Sequence, residues 1–214
     1  MKSFLRVLFA MLCISSIFVF TACDKHEDTP PTGAQVYVME AEYLDLDGIT
    51  GGGISSSMEG PDLIFGNGTQ EEKDKGWSNG YYVGFTYTIG FRLDFVFNSD
   101  AAASAIISVR LGSELGEILL TPDAFSVKLN DVEIHYNPKI IPGSDMQNMK
   151  FVDMTVSTNA QLVEGENIIS LIVNANTFNS GQVGGPMIDC IKVTTTAQLT
   201  WVEKTDNPDR RGAI

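Results

Sequence analysis

Val36-Tyr37-Val38-Met39-Glu40-Ala41-Glu42-Tyr43 is the stretch that decides the fold, because it alternates like a β-strand and ends in two carboxylates. Side chains of a strand alternate between its two faces, so both valines are predicted to share one face with Glu40 and Glu42. If that face joins the core, two charged groups are buried there. Burying an unpaired charge costs several kcal/mol or more, so the pattern predicts a cation beside these carboxylates.

A second stretch near the other end of the chain has the same character. In Met187-Ile188-Asp189-Cys190-Ile191-Lys192-Val193, Asp189 interrupts an apolar row, and neither apolar row contains Lys or Arg. A hard cation bound by Glu40, Glu42 and Asp189 would explain all three carboxylates, and oxygen ligands suit calcium. The alternative is that Glu40 and Glu42 simply mark a strand end that faces solvent.

Short apolar or β-branched runs recur along the chain with turn residues between them. They lie at residues 81–88, 91–97, 107–111, 125–129, 151–156, 168–173 and 187–195. Leu129-Asn130-Asp131-Val132 is typical of a hairpin turn. No helical period follows the N-terminal segment. About eight short strands joined by such turns predict an all-β sandwich.

The N-terminal residues indicate export. Lys2 and Arg6 form a short positive region before an apolar run at residues 7–20. This run is too short for a membrane-spanning helix. Phe20-Thr21-Ala22-Cys23 resembles a bacterial lipobox, in which the cysteine is lipidated, although Phe stands where Leu is usual. The alternative is an ordinary cleaved signal with a chance cysteine. The predicted organisation is a lipoprotein signal at 1–22, a flexible tether at 23–34 after lipidated Cys23, a sandwich at 35–198 and a tail at 199–214.

Charge narrows the classes of partner. The chain of 214 residues has 14 Lys and Arg against 27 Asp and Glu, which gives a net charge of −13. Such a surface repels phosphate backbones, so nucleic-acid binding is not expected, and an anionic glycan would need a basic patch that the sequence does not show. Neutral polymers and divalent cations remain as partners. Cys190 has no other thiol left for an internal disulfide and is predicted to be a buried, inert thiol.

Four motifs between residues 36 and 195 carry a resemblance to a known family. They are Met39-Glu40-Ala41-Glu42, Asn79-Gly80-Tyr81-Tyr82-Val83-Gly84-Phe85, Val127-Lys128-Leu129-Asn130, and the run from Leu162 to Leu171 that leads to Ile188-Asp189-Cys190-Ile191-Lys192-Val193. In this order they resemble carbohydrate-binding modules of families six and thirty-five, which are jelly-roll sandwiches of the galactose-binding-like type. The resemblance implies polysaccharide or oligosaccharide binding without catalysis, beside separate glycan-degrading enzymes at the outer membrane or cell surface. It also implies a structural calcium on Glu40, Glu42 and Asp189.

The resemblance further implies a sugar site in the loops at one end of the sandwich. There an aromatic ring stacks on a pyranose while an Asn or Asp binds its hydroxyls. The matching positions are the rings of Trp77, Tyr81 and Tyr82 and the last-loop residues Asn174, Asn176, Phe178 and Asn179. Strand alternation buries one of the two tyrosines, so a core role is the alternative for them. The second aromatic that family members often bring is absent from residues 143–150.

Three other functions compete with this one. The first is a serine hydrolase, because Gly76-Trp77-Ser78-Asn79-Gly80 matches the Gly-x-Ser-x-Gly nucleophile elbow. That elbow needs a strand before it and a helix after it, whereas a strand is predicted to follow it here. A glycoside hydrolase would need two carboxylates about 5 to 10 Å apart, and one long loop supplies Glu59, Asp62, Glu71, Glu72 and Asp74. The non-enzymatic alternative is a structural or adhesive surface lipoprotein that binds protein or matrix.

Overall fold

Short strands make up most of the fold. The computed structural model describes residues 30, 32–46, 64–66, 69, 71, 76–86, 89–113, 116–143, 149–175 and 185–203. Within these ranges a 3-10 helix spans Ala41–Tyr43. The strands are β1 Gln35–Glu40, β2 Ile64–Gly66, β3 Tyr81–Val83, β4 Arg92–Ser99, β5 Ala103–Gly112, β6 Ile118–Leu120, β7 Phe125–Leu129, β8 Val132–Ile134, β9 Lys139–Ile141, β10 Val152–Leu162, β11 Gly165–Val173, β12 Met187–Thr195 and β13 Leu199–Trp201. In this part of the chain no helix is long and apolar enough to cross a membrane.

Two antiparallel sheets enclose the core. The first sheet has the strand order β10-β5-β12-β3-β2, with β1 also paired to β12, and the second has the order β13-β4-β11-β7-β8. In β4 the alternation is complete, because Leu93, Phe95 and Phe97 are buried while Arg92 and Asp94 are exposed. The inner faces of both sheets pack into one apolar cluster. The predicted all-β sandwich is therefore confirmed.

Several predicted strands coincide with observed ones. Strands β7 and β12 have the predicted bounds. Asn130 and Asp131 join β7 to β8 with positive φ angles of 52° and 62°, so the predicted hairpin turn is confirmed. The strands that the sequence did not predict are β2, β6, β9 and β13, each three residues long. Three residues are too few to establish a period of two.

The sandwich extends beyond its predicted C-terminal boundary. Strand β13 pairs with β4, and the Trp201 ring meets the edge of the Phe97 ring at 5.1 Å and that of Tyr37 at 6.5 Å. The predicted boundary at residue 198 is wrong, because the apolar residues Leu199 and Trp201 close the second sheet. The N-terminal segment with Cys23 and the residues after 203 lie outside the described ranges.

The predicted core face of β1 is also wrong. Val36 is 61% exposed and Val38 is 40% exposed, whereas Met39 is buried in the main core with Tyr37 packed against it. Both rows of this strand are apolar, so alternation alone could not decide between them. Glu40 therefore lies on the outer side of the first sheet.

Candidate functional site

A loop at residues 76–80 lies over the outer face of the first sheet. Glu40 is paired with Cys190 across β1 and β12, and Cys190 is paired with Arg110 across β12 and β5. Residues directly opposite each other in a sheet point to the same side, so these three side chains share the outer face. Cys190 is nevertheless fully buried and unpaired with another thiol, as predicted. The loop is what covers this part of the sheet.

Ser78 fastens the loop to two strands. Its backbone N–H donates to Asp189 Oδ1 at 2.9 Å and to Oδ2 at 3.0 Å. Its hydroxyl lies 2.6 Å from Glu40 Oε2 and 3.0 Å from Asp189 Oδ2. A hydroxyl has one proton to donate, so both contacts are favourable together only when one of the two carboxyl groups is protonated. The arrangement therefore favours extra positive charge, from a proton or a cation.

Glu42 is the least satisfied of the three carboxylates. The 3-10 helix that begins at Ala41 turns Glu42 away from strand alternation and buries it completely. Asn79 Nδ2 donates to Glu42 Oε1 at 3.0 Å, whereas Glu42 Oε2 has no hydrogen-bond partner in the described part of the chain. Burial, and then repulsion from Glu40, raises the pKa of Glu42 to about 9. Its charged form is costly unless a cation joins it.

Asp189 occupies a β-bulge in β12. The register with β5 shifts between Ile188 and Cys190, which leaves Asp189 outside the ladder and turned toward the loop. Burial raises the pKa of Asp189 to about 7, although the hydrogen bond from the Ser78 backbone opposes the rise. Arg110 Nε lies 3.2 Å from Asp189 Oδ2. The sequences of β1 and β12 give no sign of this cation, because Arg110 lies in β5.

The structure thus gathers the three predicted carboxylates around Ser78 and Asn79, on the outer side of the sheet. Among the described residues, no three His, Cys, Asp or Glu side chains already have the spacing of a metal centre. The donor set still suits a hard cation, because Glu40, Glu42 and Asp189 offer carboxylate oxygens and Glu42 Oε2 is an unpartnered acceptor. The carboxylate oxygens therefore suit calcium by their chemistry. Ser78 and Asn79 already donate hydrogen bonds to several of these oxygens.

The rings predicted to stack on sugar are inside the protein. Trp77 is 3% exposed and Tyr82 is 4% exposed, and Trp77 meets the rings of Tyr82 at 5.1 Å and Phe151 at 5.5 Å. Tyr82 also stacks on Phe65 at 5.5 Å with an interplanar angle of 20°. Tyr81 is 5% exposed and belongs to the main core. The prediction of free stacking faces at these three positions is contradicted, because their faces are occupied by other side chains.

The last-loop positions are only partly described. Asn174 follows β11, is exposed, and donates its side-chain amide to the Ser126 hydroxyl. Asn176, Phe178 and Asn179 lie outside the described residues, as do the loop acids Glu59, Asp62, Glu72 and Asp74. The elbow-like motif leads into strand β3, as expected, and the Ser78 hydroxyl contacts carboxylates. That motif therefore anchors a loop.

A groove that sequence analysis missed lies beside β10, an edge strand of the first sheet. It has a volume of about 630 Å³, with His135, Asn137 and Lys139 among its lining residues on the chain segment after β8. Ser157, Thr158 and Asn159 line it from β10, in the stretch where the register with β5 shifts twice. Among the described lining residues there is no Asp or Glu. The only sequence signal was the polar run at residues 157–159 inside an otherwise alternating strand.

A second hollow continues this groove. It has a volume of about 480 Å³ and shares His135, Ser157 and Asn159 with the first. Its further lining includes the exposed apolar side chains Val132 and Val163 and the carboxylate of Glu133. The combined groove therefore offers hydroxyl and amide groups at one end and an apolar surface at the other.

The chain resembles known proteins in structure but matches none of them by sequence. No protein-family model matches the chain, and no curated protein matches it by sequence. The GH26-CBM35 β-(1,4)-mannanase of Podospora anserina is 19% identical with a TM-score of 0.48, over 76% of this chain and 28% of the mannanase. The CBM35 of Cellvibrio japonicus Abf62 is 13% identical with a TM-score of 0.47, over 79% of this chain and 99% of that module.

A family 35 carbohydrate-binding module from an environmental isolate is 18% identical with a TM-score of 0.43, over 60% of this chain and 82% of that module. All three proteins are, or contain, a family 35 module by name. At identities and TM-scores this low, the likeness says nothing about what this chain binds. Its function has to be inferred from its own residues.

Proposed function

We propose that this chain is a lipid-anchored, non-catalytic carbohydrate-binding module that holds a neutral glycan at the cell surface and contains a structural calcium ion. The observation that carries the proposal is the groove beside β10, whose first hollow has hydroxyl and amide groups but no Asp or Glu among its described lining residues, on a chain whose net charge is −13. The amides of Asn137 and Asn159 and the hydroxyls of Ser157 and Thr158 can each donate and accept hydrogen bonds. Sugar hydroxyls need partners of this kind.

The size and apolar end of the groove support the same ligand class. A volume of about 630 Å³ falls within the range of about 300 to 1,000 Å³ that is usual for small-molecule sites. Val132 and Val163 offer apolar surface to the C–H face of a sugar ring in the adjoining hollow. A neutral ligand also avoids the cost of stripping water from a charge. Lys139 and Glu133 place one charge of each sign along the combined groove, so its lining favours an oligosaccharide without net charge.

Calcium belongs to the proposal as a structural ion. Glu40, Glu42 and Asp189 would hold it, and it would add positive charge to three carboxylates that, within the described part of the chain, have only Arg110 beside Asp189. Because Glu40 and Glu42 come from the first strand and the helix after it, and Asp189 comes from β12, the ion would tie the start of the sandwich to its end. The loop at residues 76–80 already contacts the same side chains through Ser78 and Asn79.

Removal of the groove amides is expected to weaken glycan binding. The double variant Asn137→Ala/Asn159→Ala loses two side chains with hydrogen-bonding capacity, each bond being worth about 0.5–1.5 kcal/mol, so the affinity should fall about tenfold. The measurement is the retardation of the purified protein in affinity gels that contain xylan, β-mannan, β-glucan or galactan. Asn98→Ala is the matched control, since Asn98 is an exposed residue on β4 and does not line the groove.

Three other results of the affinity-gel measurement would change the proposal. Equal retardation of both variants and the unaltered protein would move the site to the last loop, where Asn174, Asn176, Phe178 and Asn179 are the proposed contacts. Release of reducing sugar in the same samples would contradict a non-catalytic role. It would favour the glycoside hydrolase alternative, in which carboxylates of the long loop are catalytic. An unaltered protein that is not retarded by any polysaccharide would favour the structural or adhesive alternative.

The anchor gives a separate prediction. Cys23→Ser is expected to abolish incorporation of labelled palmitate and to move the protein from the membrane fraction to the soluble fraction, because an acyl chain binds membranes through its buried CH₂ groups. Cys13→Ser is the control, since that cysteine lies within the predicted signal and should leave labelling unchanged. Labelling that persists in Cys23→Ser would contradict lipidation at this residue.

A further inference from the structure

Arg110 connects the carboxylate cluster to the loop that covers it. Its Nε lies 3.2 Å from Asp189 Oδ2 and donates to the Gly76 carbonyl oxygen at 3.0 Å, and its Nη2 donates to the same carbonyl. Its Nη1 reaches Asp153 Oδ1 at 3.3 Å. The Arg110 side chain is 23% exposed and the Asp189 side chain is fully buried. The planar guanidinium therefore holds a strand carboxylate and a loop carbonyl in one fixed arrangement.

We propose that Arg110 is a built-in counter-cation that keeps Asp189 and the loop at residues 76–80 in place when no metal ion is bound. This inference rests on the proposed calcium site. When Glu40, Glu42 and Asp189 are ionised, three negative charges and the guanidinium leave a net charge of −2, which one divalent cation balances. Without Arg110 the cluster would keep a charge of −3, and the protein would depend more strongly on the ion.

The other contact of Arg110 cannot account for this role. Asp153 is 44% exposed and is held independently by Lys192 Nζ at 2.8 Å, so it has a partner without Arg110. Exposed ion pairs contribute little to stability. The effect of Arg110 should therefore come from Asp189 and from the Gly76 carbonyl, which are on the buried side of its guanidinium.

The test is the calcium response of the melting temperature in Arg110→Met. In calcium-free buffer this variant should melt several degrees below the unaltered protein, and millimolar calcium should raise its melting temperature more than it raises that of the unaltered protein. Arg92→Met is the matched control, because Arg92 is 43% exposed and pairs with Asp94 at 2.8 Å away from the cluster. Its calcium response should equal that of the unaltered protein. An equal response in Arg110→Met would overturn the inference.

A second measurement separates charge from position and does not depend on calcium. The Ser78 N–H donates to Asp189, so hydrogen exchange in the 76–80 peptide reports how firmly the loop is held. Arg110→Lys keeps the charge but not the planar fork, and it should show the ordinary calcium response together with faster exchange of this peptide. Unchanged exchange would overturn the positioning role. If calcium shifts no melting temperature, the proposed ion is wrong, and the exchange rates still decide what Arg110 does.

Discussion

Replacement of Trp77 by alanine is expected to lower the free energy of unfolding by about 3–5 kcal/mol, which is the usual cost of removing a large buried ring. The ring is buried against Tyr82 and Phe151, and Met149 and Met187 complete the same apolar cluster. Alanine would leave a cavity that these neighbours, supported by two strands and a loop, can fill only in part. Urea unfolding followed by circular dichroism measures the loss.

Trp77→Phe is the graded control for that measurement. It keeps an aromatic ring in the cluster and should cost clearly less than alanine, because much of the volume is retained. If Trp77→Ala kept its stability and lost only glycan retardation, the ring would be a ligand platform, as the family resemblance implies. The structure favours a loss of stability in Trp77→Ala, because the Trp77 ring is buried inside the protein.

The strands that could be predicted from sequence are those with enough residues to show alternation. In β4, Leu93, Phe95 and Phe97 alternate with polar residues and specify one buried face. Strand β12 could be placed to the residue because apolar and β-branched residues continue from Met187 to Thr195 with only Asp189 and Lys192 between them, and β12 lies between β5 and β1. The hairpin after β7 carried turn residues that tolerate positive φ angles.

The three carboxylates of the predicted metal site do lie near one another, but the parity argument that grouped them was partly mistaken. Glu40 points outward, Glu42 lies on a 3-10 helix, and Asp189 lies in a bulge, so the three do not share a core face by parity. They meet because each contacts the loop at residues 76–80. Such a loop contact is a tertiary feature that leaves no periodic signal in the sequence.

Neither the position of Arg110 beside Asp189 nor the groove beside β10 could be predicted from the sequence, and the two reasons are related. Arg110 alternates with apolar residues in β5 as any outward-facing residue would, and only the register with β12 brings it to Asp189. The groove forms where the bulged edge strand β10 passes the segment after β8. Edge positions depend on strand order, which local propensity does not encode.

Calcium removal is expected to destabilise the protein strongly at alkaline pH and little near pH 5. Burial raises the pKa of Glu42 from 4.5 to about 9 and that of Asp189 from 3.8 to about 7. A raised pKa in the folded state means that stability is fully present below the unfolded pKa and is lost as pH rises through the folded pKa. The calcium-free protein should therefore lose stability between about pH 4 and pH 9.

Bound calcium should remove most of that loss, because it stabilises the ionised carboxylates in the folded state only. One pKa unit corresponds to about 1.4 kcal/mol, so the gap between the calcium-bound and calcium-free curves should reach several kcal/mol at pH 9. Urea unfolding of dialysed protein from pH 5 to pH 9, with and without millimolar calcium, measures it. Glu42→Gln keeps an acceptor for Asn79 without the charge, so its calcium-free curve should be flatter and its calcium response smaller. Parallel curves for the unaltered protein would contradict a cation at these carboxylates, since an ion that binds them must compete with their protons.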